Sequence, residues 1–212
     1  AVSTGGADEA RPFVLELATA QTARYVKFAL QTAGASAWTM LSEVKVSRSA
    51  VWGKNLVSSA TYTASQAPGA AYPDSGSVLT DGTKALGPNS FFSVTHAGWQ
   101  DLNSTTMSLT MDLGTYYQDL QHFELNSYRW DASGITLPTA ISVWLSSNGT
   151  DYTKAGVMGL GASIENYPGL FSLDLPAMAH GRYVRFDVGT AASSGWTMIS
   201  ELAVHRVSNV AK

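Results

Sequence analysis

The chain has 212 residues, of which 14% are charged, a formal net charge of −3 and no cysteine. Lys and Arg are scattered rather than blocked, so a nucleic-acid partner is not expected. The missing cysteines exclude a disulfide scaffold and thiolate chemistry, and no apolar run is long enough for a transmembrane helix.

Residues 1–11 are rich in Gly, Ala and Ser and read as a loop. Phe13, Leu15 and Leu17 alternate with polar residues as a half-buried strand does; Tyr25–Phe28 and Val44–Val46 are two further expected strands. Ser49–Gly53 reads as a junction. Beyond it Asn55–Val57 opens a unit, and Ala60–Thr63 is a short polar strand. A turn-rich loop runs from Ala67 to Gly82, and Phe91–Val94 leads towards Trp99. Met107, Leu109, Met111 and Leu113 alternate with polar residues, and Gly114 is read as the end of that strand. Phe123 and Leu125 belong to the next. Ile141, Val143 and Leu145 alternate up to Asn148-Gly149, a tight hairpin because both residues tolerate positive φ. Leu170–Leu175, Tyr183–Val188 and Leu202–Val204 complete the set. No window shows a helical apolar stripe, so the expected fold class is all-β, an antiparallel β-sandwich.

The chain also contains an internal repeat. Arg182-Tyr183-Val184-Arg185-Phe186 and the later Trp196-Thr197-Met198 have counterparts at Arg24–Phe28 and Trp38–Met40, 158 positions earlier. Over 13–48 against 171–206, 17 of 36 positions are identical. The expected organisation is therefore 1–48, the C-terminal part of an incomplete unit, followed by 49–212, one complete unit. A partial unit has an unpaired sheet edge and is not expected to fold alone.

Five features occur in order: Thr80-Asp81-Gly82, the Met111–Gly114 strand end, Ser147-Asn148-Gly149, Arg182–Arg185 and Ser200-Glu201-Leu202. With them the chain resembles the discoidin family (F5/8 type C, a galactose-binding-like jelly roll), which includes family 32 carbohydrate-binding modules of bacterial glycoside hydrolases. The resemblance covers 50–208 and, through the repeat, 13–48. It implies a structural calcium ion with Asp81 and Glu201 as carboxylate ligands and Val78 and Thr83 as backbone contributors. A hard cation takes several oxygens, and a tight turn aims carbonyls inward. The competing reading is that Asp81 shapes a turn and Glu201 pairs with an Arg. Glu43 is the repeat's counterpart of Glu201.

For ligand binding the resemblance implies a His, an Arg and an aromatic platform, which His96, Arg129 and Trp99 match. Tyr128 and Trp130 flank Arg129, and Tyr167 lies in another loop, with Tyr72 and Asn166 as further groove candidates. The alternative for Trp99 is a plug in the end of the barrel. Trp196, held in both copies, reads as core or loop anchor, and His122, His180 and His205 as isolated structural or surface residues.

No nucleophile elbow, zinc-binding H-E-x-x-H or phosphate loop occurs, so no catalytic residue is assigned. The expected function is a non-catalytic carbohydrate-binding module of a larger secreted polysaccharide-active enzyme, with polysaccharide and that enzyme's catalytic domain as partners. The alternatives are an ancillary domain walling a glycoside hydrolase site, or an adhesion or lipid-binding module, for which Phe91-Phe92 supplies an apolar tip.

Overall fold

Strands form where alternating apolar residues can bury one face, and the long alternations of this sequence do so in the computed structural model. It describes residues 25–29, 52, 54–58, 60–74, 76–87, 89–102, 105–161, 165–190 and 195–206. The chain divides into two compact units, Ala1–Val51 and Trp52–Lys212.

In the first unit the described residues 25–29 are irregular. Tyr25, Val26 and Phe28 are 79%, 57% and 54% exposed. The strand expected at Tyr25–Phe28 is not formed in these residues, whose apolar side chains are exposed rather than buried on one face. The other expectations for 13–48, and Glu43, lie outside the described residues.

The described residues of the second unit form eight strands: β1 (Tyr62–Ala64), β2 (Ala97–Gln100), β3 (Thr106–Arg129), β4 (Ala140–Ser146), β5 (Thr153–Val157), β6 (Gly159–Leu160), β7 (Tyr167–Gly189) and β8 (Trp196–Arg206). The pairings between these strands are antiparallel, in the order β2-β8-β3-β7-β4-β5, with β1 on β3 and β6 on β7; an isolated parallel bridge joins Ile135 to Trp196. Three short 3₁₀ turns are the only helical pieces among the described residues, and none of their helices could cross a membrane.

Two strands expected as pairs of short ones are single long ones. β3 and β7 stay hydrogen-bonded from Thr106↔Gly189 to Arg129↔Tyr167, with register shifts between Asp112 and His122. Gly114, at φ +75, turns the ribbon without ending it. The first half of β3 also pairs with β1, and the second half with β8. The bent ribbon thus belongs to two layers, one continuing through β4 and β5, the other through β8 and β2: an antiparallel sandwich. Asn55–Val57, expected to open the unit, is a turn tied by the Leu56 N–H to Val204 O at 2.8 Å.

The main core lies between these layers. Met107, Leu109 and Met111 are fully buried, as are Phe123, Leu125, Val143, Phe186 and Val204. A second cluster of Ala85, Phe91, Tyr128, Ile135 and Met198 packs with Tyr72, Val94, Trp130 and Trp196. It gathers the Tyr72–Thr95 loops, the end of β3 and the start of β8. Gly98 permits this packing: a Cβ there would meet Met198 Sδ at 2.6 Å and Tyr72 Cβ at 2.8 Å.

Buried polar bonds hold the loops to the strands. A bulge in β8 at Ser200 turns its hydroxyl to Asn126 Oδ1 at 2.6 Å. Asn126 Nδ2 donates to Ala85 O at 3.2 Å, which fixes the loop following Asp81-Gly82. Tyr62 OH donates to Asp74 and accepts from Leu79 N–H at 3.2 Å.

Candidate ligand-binding site

The aromatic cluster supplies the surface on which a ligand site can be built. Phe91 and Phe92 end a 3₁₀ turn, Ser90–Phe92. The tight turn separates two identical side chains, Phe91 at 7% exposure and Phe92 at 75%. Phe91 stacks on His96 at 4.9 Å and meets Tyr128 at 5.4 Å, Tyr72 at 5.7 Å and Trp130 at 6.0 Å. Phe92 stands edge-to-face with the half-buried Trp130 at 5.3 Å and 84°. The exposed ring is thus mounted on a packed base.

Beside this base lies a pocket of about 280 Å³ walled by Tyr72, Pro73, Phe91, Val94, Thr95 and His96. His96 is 4% exposed, and its Nδ1 is 2.9 Å from Val94 O. That contact places the hydrogen on Nδ1 and leaves Nε2 as an acceptor. Nε2 is buried with no hydrogen-bond partner among the described residues. Burial, only partly opposed by the Val94 carbonyl, holds the His96 pKa down to about 4, so the ring is neutral.

Next to Trp130 is a compact ionic group. Arg129 Nε donates to Asp131 Oδ1 and Oδ2 at 3.1 and 3.0 Å, and Nη2 donates to Oδ2 at 2.5 Å. Glu165 Oε2 is 3.9 Å from Arg129 Nε. The Glu165 carboxylate also accepts the backbone N–H groups of Asp131 at 2.9 Å and Ala132 at 3.3 Å. Tyr128 anchors the two loops: its hydroxyl lies 2.9 Å from Asn166 O, and Asn166 Nδ2 donates to Asn89 Oδ1. Asn89 and Asn166 both have φ 58, a left-handed conformation that Asn adopts readily.

His96 and Trp130 therefore fall in one cluster, bridged by Phe91, while Arg129, the residue before Trp130, is held by Asp131 and Glu165. Tyr167 is half-buried at the start of β7, paired in register with Arg129. Trp99 is corrected: it is 1% exposed in the main core and donates Nε1–H to Gln66 O at 2.9 Å. β2 is covered along that face, so the indole is a plug and offers no platform. Tyr128 is corrected likewise, being fully buried with its hydroxyl engaged by Asn166. Trp196 is half-buried and meets Tyr72 edge-on at 5.1 Å. Asp131 and Glu165 were not in the expected glycan set, and Phe92 was expected only as part of an apolar tip in the lipid-binding alternative; a loop acid carries no signal of a partner 36 residues away.

The expected calcium ligands surround the turn after the 3₁₀ segment Val78–Thr80. Glu201 is 1% exposed; Oε2 accepts Gly82 N–H at 3.0 Å and Oε1 accepts Asn55 Nδ2 at 3.4 Å. Burial first, and then the nearby Asp81 carboxylate, raise its pKa to about 7 against the Gly82 bond. Asp81 Oδ1 accepts Thr83 N–H at 2.7 Å. No Arg pairs with Glu201 among the described residues; Arg182 pairs with Asp112 at 2.7 Å. A buried carboxylate beside a second one, compensated by amides, has the chemistry a hard cation suits. No group of three metal-binding side chains occurs among the described residues, so backbone oxygens would have to complete such a shell.

His122 is not isolated. Its Nδ1 is 2.6 Å from Asp174 Oδ1 and its Nε2 2.9 Å from Glu124 Oε1. Trp52 stacks on the ring at 4.5 Å and 8°, His205 lies at 5.6 Å, and Lys84 pairs with Glu124. Burial lowers the His122 pKa, but the two carboxylates outweigh it and the net shift is upward.

No protein-family model and no curated protein matches the chain. Solved structures do. A fucolectin from striped bass (Morone saxatilis) serum aligns at a TM-score of 0.52 and 15% identity, over 73% of this chain and 49% of that one. A family 29 fucosidase of Ruminococcus gnavus, in complex with fucose, aligns at 0.50 and 16%, over 74% and 27%. A family 32 module of Clostridium perfringens, in complex with galactose, aligns at 0.49 and 15%, over 71% and 96%. The fold is discoidin-like.

Proposed function

We propose that this chain is a non-catalytic carbohydrate-binding module whose site is the aromatic loop cluster around Phe92, Trp130 and Arg129. The observation that carries the reading is the 75% exposed Phe92 braced edge-to-face by Trp130, whose two chain neighbours Arg129 and Asp131 are paired with each other. A pyranose has apolar C–H faces and a rim of hydroxyls. Aromatic rings take the first, and guanidinium and carboxylate groups take the second. His96 adds a neutral acceptor to the adjoining pocket, and Tyr167 lies alongside. The fold is shared with a fucolectin, although a fold alone does not carry function.

In this reading the module holds a larger secreted polysaccharide-active enzyme to its substrate through weak contacts multiplied by copies. Calcium is its structural ion, held by Asp81 and Glu201 with carbonyls such as those of Val78 and Thr83. A glycan array with the wild type, Phe92→Ala, Trp130→Ala and Arg129→Ala tests the site. Binding by the wild type and a loss of about tenfold or more in each variant is expected for central contacts. Absence of any retained glycan would refute the reading.

Leu86 and Phe92, 77% and 75% exposed in neighbouring loop positions, favour a second reading as an adhesion or lipid-binding module. The same face would then meet a bilayer or a catalytic domain. Cosedimentation with phosphatidylcholine–phosphatidylserine vesicles, abolished by Leu86→Ala and Phe92→Ala, distinguishes it.

A further inference from the structure

We infer that the proposed glycan site selects uncharged sugars, and that Asp131 and Glu165 are the residues that reject anionic ones. This rests on the glycan-binding reading and narrows it to a ligand class. The ionic group beside Trp130 holds one positive and two negative charges. Arg129, the side chain that would otherwise receive a ligand carboxylate or sulfate, has Nε and Nη2 committed to Asp131, with Glu165 at 3.9 Å. An anionic ligand would have to displace Asp131 from the guanidinium and lie against Glu165.

Neither acid can readily leave. Asp131 begins the 3₁₀ turn Asp131–Ser133, and Glu165 is fastened by the Asp131 and Ala132 backbone amides. The carboxylates are 49% and 44% exposed, so they face solvent where a ligand approaches. Among the described residues no cation other than Arg129 pairs with either acid; Lys84 is paired with Glu124, and His96 is neutral in its apolar cage. Nη1 of Arg129 has no acceptor among the described residues and remains able to donate to a hydroxyl. Hydroxyls both donate to the two acids and accept from the guanidinium, so a neutral sugar satisfies the whole group. An anion satisfies only the one cation and meets two like charges.

A glycan array of matched pairs, differing only by a sialyl, uronate or sulfate group, tests this at low ionic strength. The wild type should retain the neutral member at least about tenfold better, the scale expected for two like charges at a solvent-exposed site. In Asp131→Asn/Glu165→Gln, which keeps one acceptor oxygen on each side chain, that ratio should fall by about tenfold, and the difference should shrink in high salt. Equal or stronger wild-type retention of the charged members, or an unchanged ratio in the variant, would overturn the inference while leaving glycan binding intact. Retention of no glycan by the wild type would overturn both. Circular dichroism and a thermal melt of the variant confirm that the fold is kept.

Discussion

Two histidines mark two differently built regions of the second unit. His96 is caged by Phe91, Tyr128 and its own Val94 carbonyl, with Nε2 unpartnered among the described residues and a pKa lowered to about 4 by burial. His122 is gripped on both nitrogens by Asp174 and Glu124, capped by Trp52, and has a raised pKa despite burial. The ionic region is satisfied within itself: Lys84 closes on Glu124, whose pKa falls to about 2 as the pull of His122 and Lys84 exceeds the effect of burial. The aromatic region has an unpaired acceptor, a pocket and an exposed ring. Residual bonding capacity, rather than the presence of histidine or aromatic residues, distinguishes a surface made for a ligand from one made for stability.

The largest effect that sharpens this contrast concerns Trp99. As a core plug, Trp99→Ala should lower the unfolding free energy by about 3–5 kcal/mol in urea titration. A folded, equally stable variant with altered glycan binding would instead restore the indole to the site. Phe91→Ala should cost about 3 kcal/mol by the same measure and dismantle the base under Phe92 and Trp130, whereas Phe92→Ala should leave the midpoint nearly unchanged.

The pH dependences of the two histidines run in opposite directions. His122 is protonated more readily in the folded state, so its contribution is full below the unfolded value near 6.5 and fades as pH rises through the raised folded pKa. His96 has a lowered folded pKa, so its neutral form supports the fold above 6.5 and is undermined as pH falls towards about 4. Melting temperatures of His122→Gln and wild type should diverge most below pH 6.5 and converge in alkali. Those of His96→Gln and wild type should differ less towards pH 4. Parallel curves would show that the two environments are not distinct.

A smaller effect is expected from calcium. Added calcium should raise the melting temperature of the wild type but not of Glu201→Gln, by the mass-action stabilisation of about 2.7 kcal/mol at 100 times the dissociation constant. No shift in the wild type with calcium or chelator would remove the ion from the account. Smallest of all is Arg182→Ala, which breaks an exposed pair with Asp112 and should leave the urea midpoint unchanged.

Much of the sandwich could be read along the chain because burial there is periodic. Met107, Leu109 and Met111 each sit at every second position. The tight hairpin expected at Asn148-Gly149 is instead a six-residue loop, 147–152: Gly149 takes φ +80 but Asn148 does not take positive φ, and its Oδ1 accepts the Thr150 and Asp151 N–H groups. Gly114 misled because positive φ marks a bend as well as an end, and only long-range pairing with β7 keeps β3 continuous. Side-chain exposure at the loops was less legible. Trp99 and Trp130 are the same residue type, and only the layers packed over them decide that one is a plug and the other half open. The Arg129–Asp131 pair is local, but its second acid, Glu165, arrives from a loop that only the fold brings near. His122 and Asp174 likewise meet only because β3 and β7 pair.

The most direct test of the central claim compares the two regions by one readout, binding of an array-identified neutral glycan measured by isothermal titration. Trp130→Ala and Phe92→Ala should each weaken binding by about tenfold or more, while His122→Gln should stay within about twofold of the wild type. Undiminished binding in both aromatic variants, or an equal loss in His122→Gln, would contradict a glycan site at the aromatic loops.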